Sequence, residues 1–214
     1  EARDHGRRQV VTMPKSSKWE TTSDLVARTR RTIAMAYACG GHCMAPWDTY
    51  MPGNAPRYFG TPDDYADLFA FIRANAPIMD GYEEAAVFGK GIADERFGDK
   101  PPVTIVDHET AFAVVRVVPG DASKAVAVHI IDWSDAPEPL LLQLSAARFW
   151  GGMPFTMELR VPVPYNQEAH GAAEATGDFK GLVRTVAVAP EADGTVRVPA
   201  VAPWGILVLT PETP

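Results

Sequence analysis

The strongest constraint on the fold is a change of hydrophobic pattern near residue 100. From Pro101 onward, short apolar runs recur at Val103–Val106, Ala111–Val118, Ala125–Trp133, Leu140–Leu144, Phe155–Val161, Leu182–Val188, Thr195–Val198 and Gly205–Leu209. They are rich in Val, Ile and Leu, and turn signals such as Pro119-Gly120-Asp121 and Ala192-Asp193-Gly194 separate them. Evenly spaced short strands of this kind, with no helical pattern between them, predict an antiparallel β-sandwich.

The first part of the chain reads differently. Arg8 to Met13 is a short strand ending at Pro14. Ser23 is placed to cap a helix starting at Asp24, with Leu25, Thr32, Ile33, Ala36 and Tyr37 on one stripe and Gly40-Gly41 as its stop. A second strand spans Gly41 to Ala45. Thr61-Pro62-Asp63-Asp64 then opens a helix whose apolar face is Tyr65, Leu68, Phe69 and Ile72 and which Pro77 stops. Strand, helix, strand, helix makes two β/α units. A closed (β/α)8 barrel needs eight units and about 250 residues. The expected architecture is therefore α/β plus all-β: residues 1–95 as the C-terminal part of a (β/α)8 barrel and 101–214 as a β-sandwich domain. The join falls near 89–102, where Gly, Asp, Lys and a Pro pair cluster. Glu1 to Arg8 has neither an initiator Met nor an apolar signal core, so a processed or truncated chain, with the missing units upstream, is expected.

Charge narrows the partners. The net charge is −7, about −1 in the first 100 residues and −6 in the rest. Nucleic-acid binding needs a basic face, so no nucleic-acid partner is expected. No window approaches the roughly 18 consecutive apolar residues of a membrane span, so no membrane partner is expected either. Cys39, His42 and Cys43 lie close in sequence. A structural zinc takes four ligands, and no second pair follows at a matching spacing. Asp107-His108-Glu109 sits in a turn between strands. No metal site and no cofactor are expected.

Chemistry points to the loops that follow the two early strands. Gly40-Gly41-His42-Cys43-Met44-Ala45 runs into Pro46-Trp47-Asp48-Thr49-Tyr50. In a barrel, the C-terminal ends of the strands carry the site. An indole face stacks on the C–H face of a sugar, and a carboxylate accepts hydrogen bonds from neighbouring hydroxyls. Trp47, Asp48 and Tyr50 thus suit a carbohydrate, with Arg57 and Tyr58 as a rim. Lys15, Lys18, Trp19 and Glu20 follow the first strand and would share that face. Glycoside hydrolysis uses two carboxylates flanking the scissile bond. Asp48 and Glu20 are the acidic residues of these two loops, and so the candidate pair within this chain. The competing reading has Trp47 plugging a barrel mouth, Asp48 capping a turn and the Lys15–Glu20 side chains solvated. His129, Asp132 and Trp133 share one later strand, where regular alternation would put His129 and Trp133 on the side opposite Ile130 and Asp132.

Several stretches together resemble one class of protein. Ile33-Ala34-Met35-Ala36-Tyr37-Ala38-Cys39-Gly40-Gly41-His42, then Pro46-Trp47-Asp48, then Arg57-Tyr58-Phe59-Gly60, resemble the closing β/α units of bacterial TIM-barrel glycoside hydrolases. Val126 to Ser134 and Val201 to Leu209 are similar to the β-sandwich that follows the barrel in many of them. The resemblance implies hydrolysis of glycosidic bonds by a carboxylate pair in the full-length enzyme, with the first six units outside this chain. It implies an oligo- or polysaccharide substrate, an upstream barrel segment as the packing partner, and a secreted or periplasmic location. The alternative from another class is a non-catalytic carbohydrate-binding or interaction module. The parent reading frame separates the two: further β/α units upstream support the enzyme.

Overall fold

A computed structural model of the chain describes residues 9–12, 21–44, 60–92, 95–98, 100–106, 108–191 and 194–212. It opens with β1 (Val10–Thr12), α1 (Thr22–Ala38), β2 (His42–Met44) and α2 (Asp63–Ala74). β1 and β2 pair in parallel, Val10 with His42 and Thr12 with Met44. Strand, helix, strand and helix thus occur in the expected order. Among the described residues the parallel sheet has two strands and no barrel is closed.

Local chemistry explains the helix ends. Thr21, not Ser23, caps α1: its hydroxyl accepts from the Asp24 N–H at 3.2 Å, and the Asp24 carboxylate accepts from the Thr21 N–H at 3.1 Å. This reciprocal box satisfies two orphan donors at once, which a cap at Ser23 would not do. At the other end, Gly40 (φ +78°) reverses the chain and Gly41 N–H returns to Ala36 O at 2.8 Å. At the α2 start only half of this device is present: the Asp64 carboxylate accepts from Thr61 N–H (2.7 Å) and from its hydroxyl (3.0 Å), while the N-cap position is Pro62, not Thr61, and makes no side-chain cap bond. α2 ends at Ala74, before Pro77, and Asn75 closes it by donating from its side chain to Phe71 O at 2.8 Å. Its most buried face is Tyr65, Leu68 and Phe71, while Phe69 and Ile72 are half-buried.

The rest is antiparallel sheet. β3 (Glu83–Gly89), β5 (Ala111–Val117), β6 (Val126–Asp132), β11 (Trp204–Pro211), β8 (Phe155–Pro162) and β9 (Val183–Ala187) lie side by side in that order. β4 (Val103–Val106), β7 (Leu140–Leu144) and β10 (Thr195–Val198) form a second sheet ordered β10-β7-β4. Each apolar run after residue 101 therefore contains a strand. Two further elements lie outside the expected pattern. β3 is an edge strand preceding the pattern change, and α3 (Gln167–Thr176) is a helix inserted between β8 and β9.

The six-stranded sheet is the middle layer. One face packs on the three-stranded sheet through Val115, Val128, Ile130, Leu159, Leu207 and Leu209 against Leu140, Leu142, Val196 and Val198. The other face packs under α1 and α2, with Val114, Ala127, Ile131, Trp204, Ile206 and Val208 meeting Ile33, Leu68 and Phe71. Alternation along β6 sends odd-numbered residues to the helices and even-numbered ones to the facing sheet. Arg30 ties the two helices together by a paired contact to the Asp67 carboxylate at 2.7 and 2.5 Å, and donates also to Asp64 O. Arg31 donates to Ser134 O at 2.8 Å and to Asp135 at 2.6 Å, fastening α1 to the loop after β6. Among the described residues no helix is long and apolar enough to cross a membrane.

Candidate functional site

The frame of the expected site is described, and its side chains are not. Thr12 and Met44, the last residues of β1 and β2, are register partners, so the chain leaves both strands at the same edge of the parallel pair. It re-enters the described structure just ahead of the N-termini of α1 and α2. Those helix ends carry partial positive charge, which favours anionic or oxygen-rich groups nearby. Lys15, Lys18, Trp19, Glu20, Trp47, Asp48, Tyr50, Arg57 and Tyr58, the residues predicted from sequence to hold or cleave a sugar, lie outside the described residues.

A cavity of about 490 Å³ occupies the opposite end of the same unit, at the start of β2. Gly41, His42, Tyr37, Arg73, Tyr82 and Arg116 line it. Arg116 is buried and donates to Tyr37 O (3.4 Å), Met79 O (3.2 Å) and Tyr82 O. It fastens the end of α1 to the turn after α2.

The other residues singled out from sequence are engaged in packing. His129 and Trp204 face the helix layer and are fully buried. Their rings stack with centroids 5.6 Å apart, and Trp204 Nε1–H donates to His129 Nδ1 at 3.2 Å. Burial, and then the nearby Arg116 cation, push the His129 pKa down to about 3. The ring is therefore neutral, and it has no role as a proton donor near neutral pH. Asp132 is buried on the other side of β6 and accepts from the Thr110 hydroxyl (2.9 Å) and Ser134 N–H (2.8 Å). His108 Nε2 lies 3.8 Å from its second oxygen, while Glu109 pairs with Lys90. His108 and Glu109 thus serve different partners, and Asp107 lies outside the described residues. Among the described residues no group of three or more His, Cys, Asp or Glu is placed to hold a metal ion. Cys39 and Cys43 are free thiols. Burial raises both, Cys39 to about 11 with a further push from Glu84, so neither is a ready nucleophile.

One feature the sequence reading missed is a cleft of about 420 Å³ between α2 and α3. Tyr165 stands at one end with 36% of its surface exposed, and its ring lies 4.9 Å from that of His170. The His170 ring is anchored through Nδ1 to Asn166 O at 2.9 Å. At the other end Arg73 lies 3.6 Å from Glu174 and 5.0 Å over the Phe179 ring. The available sequence signals were the Asn166 cap, whose side chain accepts from Ala169 N–H at 2.9 Å, and Gly177 at φ +72°.

No known protein-family profile matches the chain. Among curated proteins, the alpha-agarase of Alteromonas agarilytica is similar to it, with 35% identity over 60 residues. That segment covers 28% of this chain and 4% of the agarase. The similarity is a hint of carbohydrate-active function, confined to a small part of either protein.

Proposed function

We propose that the chain is part of a carbohydrate-active hydrolase, acting on an oligo- or polysaccharide at the loops that follow β1 and β2. In this reading β1–α1–β2–α2 are the closing units of a (β/α)8 barrel, and the two facing antiparallel sheets are the sandwich that abuts it. Trp47 is the sugar platform, Asp48, Lys15, Trp19 and Glu20 contact hydroxyls, and Tyr50, Arg57 and Tyr58 form the rim. The observation that carries the reading is the in-register parallel pair. It starts both aromatic- and carboxylate-bearing segments from adjacent strand ends, Thr12 and Met44. The partial likeness to an agarase supports the same substrate class.

Hydrolysis of a glycosidic bond needs one carboxyl group as acid and another as nucleophile or base. Asp48 and Glu20 are the candidates within this chain, and other strand ends of the parent enzyme could contribute either role. The test is calorimetric titration of the chain with agarose-derived oligosaccharides, alongside reducing-sugar release from agarose. Trp47→Ala is expected to weaken binding at least tenfold, about 1.4 kcal/mol. Asp48→Asn is expected to lower turnover if Asp48 acts on the bond, and affinity if it holds the sugar. Unchanged affinity and unchanged turnover in both variants would overturn the assignment.

A further inference from the structure

We propose that the cleft between α2 and α3 is a second saccharide-binding groove, which receives a neutral glycan chain leaving the strand-end loops. The inference rests on the saccharide reading of those loops and extends it to a surface that does not include them.

Three observations carry it. The first is direction. Asp63 begins α2, directly after the segment that follows β2, and Arg73 lies in the last turn of α2. Asp63 lines the cleft beside Tyr165, and Arg73 lines it beside Glu174, so the groove runs along α2 away from the strand-end edge. Ten residues of helix give it a length of about 15 Å, room for several sugar units in line.

The second is composition. Neutral sugars are held by an aromatic face together with planar polar groups that both donate and accept. Here Tyr165 offers the face, Asp63 and Glu174 accept, and Arg73 and Gln167 donate. Gly171 lies on the cleft wall with no atom of the described residues within 4 Å of where a Cβ would stand, which leaves the wall open on their side. The Tyr165 ring is fixed in advance by His170, which is 6% exposed and itself anchored to the backbone. A fixed ring loses little freedom on binding. The two carboxylates and the chain's net charge of −7 disfavour an acidic glycan.

The third is the cost of the insertion in residues. β8 and β9 are antiparallel neighbours, and a two- to five-residue turn commonly joins such strands. The chain instead places α3 between them, and α3 buries only His170 and Ala173. The helix adds little to the core, yet it builds one whole wall of the groove.

The experiment compares wild type with Tyr165→Ala, Tyr165→Phe and Trp47→Ala. Retardation in native gels containing soluble agarose, xylan or alginate reads polymer binding, and calorimetry with a short agarose oligosaccharide reads the strand-end site. Tyr165→Ala should weaken binding to a neutral polymer about tenfold and leave the short-oligosaccharide affinity unchanged, while Tyr165→Phe keeps most of the polymer binding. If Trp47→Ala loses the oligosaccharide and Tyr165→Ala binds polymer like wild type, the groove is overturned and the strand-end reading stands. If Tyr165→Ala loses polymer and Trp47→Ala binds the oligosaccharide normally, the groove stands and the strand-end reading fails. Preferential binding to alginate, or no retardation of wild type by any of the three, overturns the groove. Circular dichroism and thermal melting of each variant separate loss of binding from loss of fold.

Discussion

Replacing Trp204 with Phe tests how the helix layer is joined to the six-stranded sheet. The indole is fully buried, packs edge-on against Phe71 of α2 with centroids 5.1 Å apart, and stacks on His129. Its N–H donates to His129 Nδ1 at 3.2 Å, and His129 Nε2 has no hydrogen-bond partner among the described residues. In Trp204→Phe the second imidazole nitrogen also becomes an orphan, at about 1–3 kcal/mol. The smaller ring adds about 1–2 kcal/mol for lost apolar burial and a residual void. The expected loss is therefore about 2–5 kcal/mol, or roughly 5–15 °C in Tm for a chain of this size. His129→Leu should cost about 1–3 kcal/mol by stranding the indole N–H. The double variant leaves neither group unpaired, so it should be more stable than the sum of the singles by about 1–2 kcal/mol. Urea denaturation followed by circular dichroism measures all three. Additivity within about 0.5 kcal/mol, or single losses below that size, would refute the reasoning.

Two further outcomes follow from buried charge. The His129 pKa is about 3 when folded and 6.5 in its ordinary state. The unfolded chain therefore binds the extra proton first, and this contribution is intact above pH 6.5. It is lost as pH falls from 6.5 toward 3, at up to about 1.4 kcal/mol per pH unit. Urea midpoints measured from pH 7 to 4 should fall more steeply for wild type than for His129→Leu, and parallel curves would contradict this. At the α1–α2 contact, Arg30 and Asp67 are 21% and 9% exposed. Asp67→Ala should cost about 1–3 kcal/mol, less than breaking a fully buried pair, whereas Arg30→Met with Asp67→Leu should cost less than either single change. A thermal melting series decides it, and a double variant that loses the sum of the two singles counts against the argument.

What could be read from sequence follows the density of apolar side chains. β5, β6 and β11 are almost wholly buried, so their Val, Ile and Leu runs announce them without regard to context. β3 escapes because Glu83-Glu84-Ala85-Ala86 carries little hydrophobic signal, and a bulge between Glu84 and Ala86 breaks its alternation. α3 escapes because a helix with two buried side chains shows no stripe; its evidence lies in the caps at Asn166 and Gly177. Thr21 and Ser23 are both good caps by residue type, and the Asp24 carboxylate decides for Thr21 through space. At the site, the strand ends and helix starts that frame the loops were legible because local signals mark them: Gly40-Gly41 ends α1 ahead of β2, and Thr21 and Asp24 start α1. The α2–α3 cleft was not, because Asp63 and Tyr165, which line it together, are distant in sequence and meet only in the folded chain.

The six-stranded sheet is pressed between two unlike cores, and this bears on how the protein can be divided. A cut at the change of pattern near residue 100 would remove α1, α2 and β3 together. It would bare Val114, Ala127, Ile131, Trp204, Ile206 and Val208 to water and open β5 as a raw edge. The second half is thus not a portable cassette: its sheet is upholstered on one side by its own strands and on the other by the helices that precede it. Transplants or truncations that respect this shared wall should begin ahead of α1, and those that begin at the sequence join should clump.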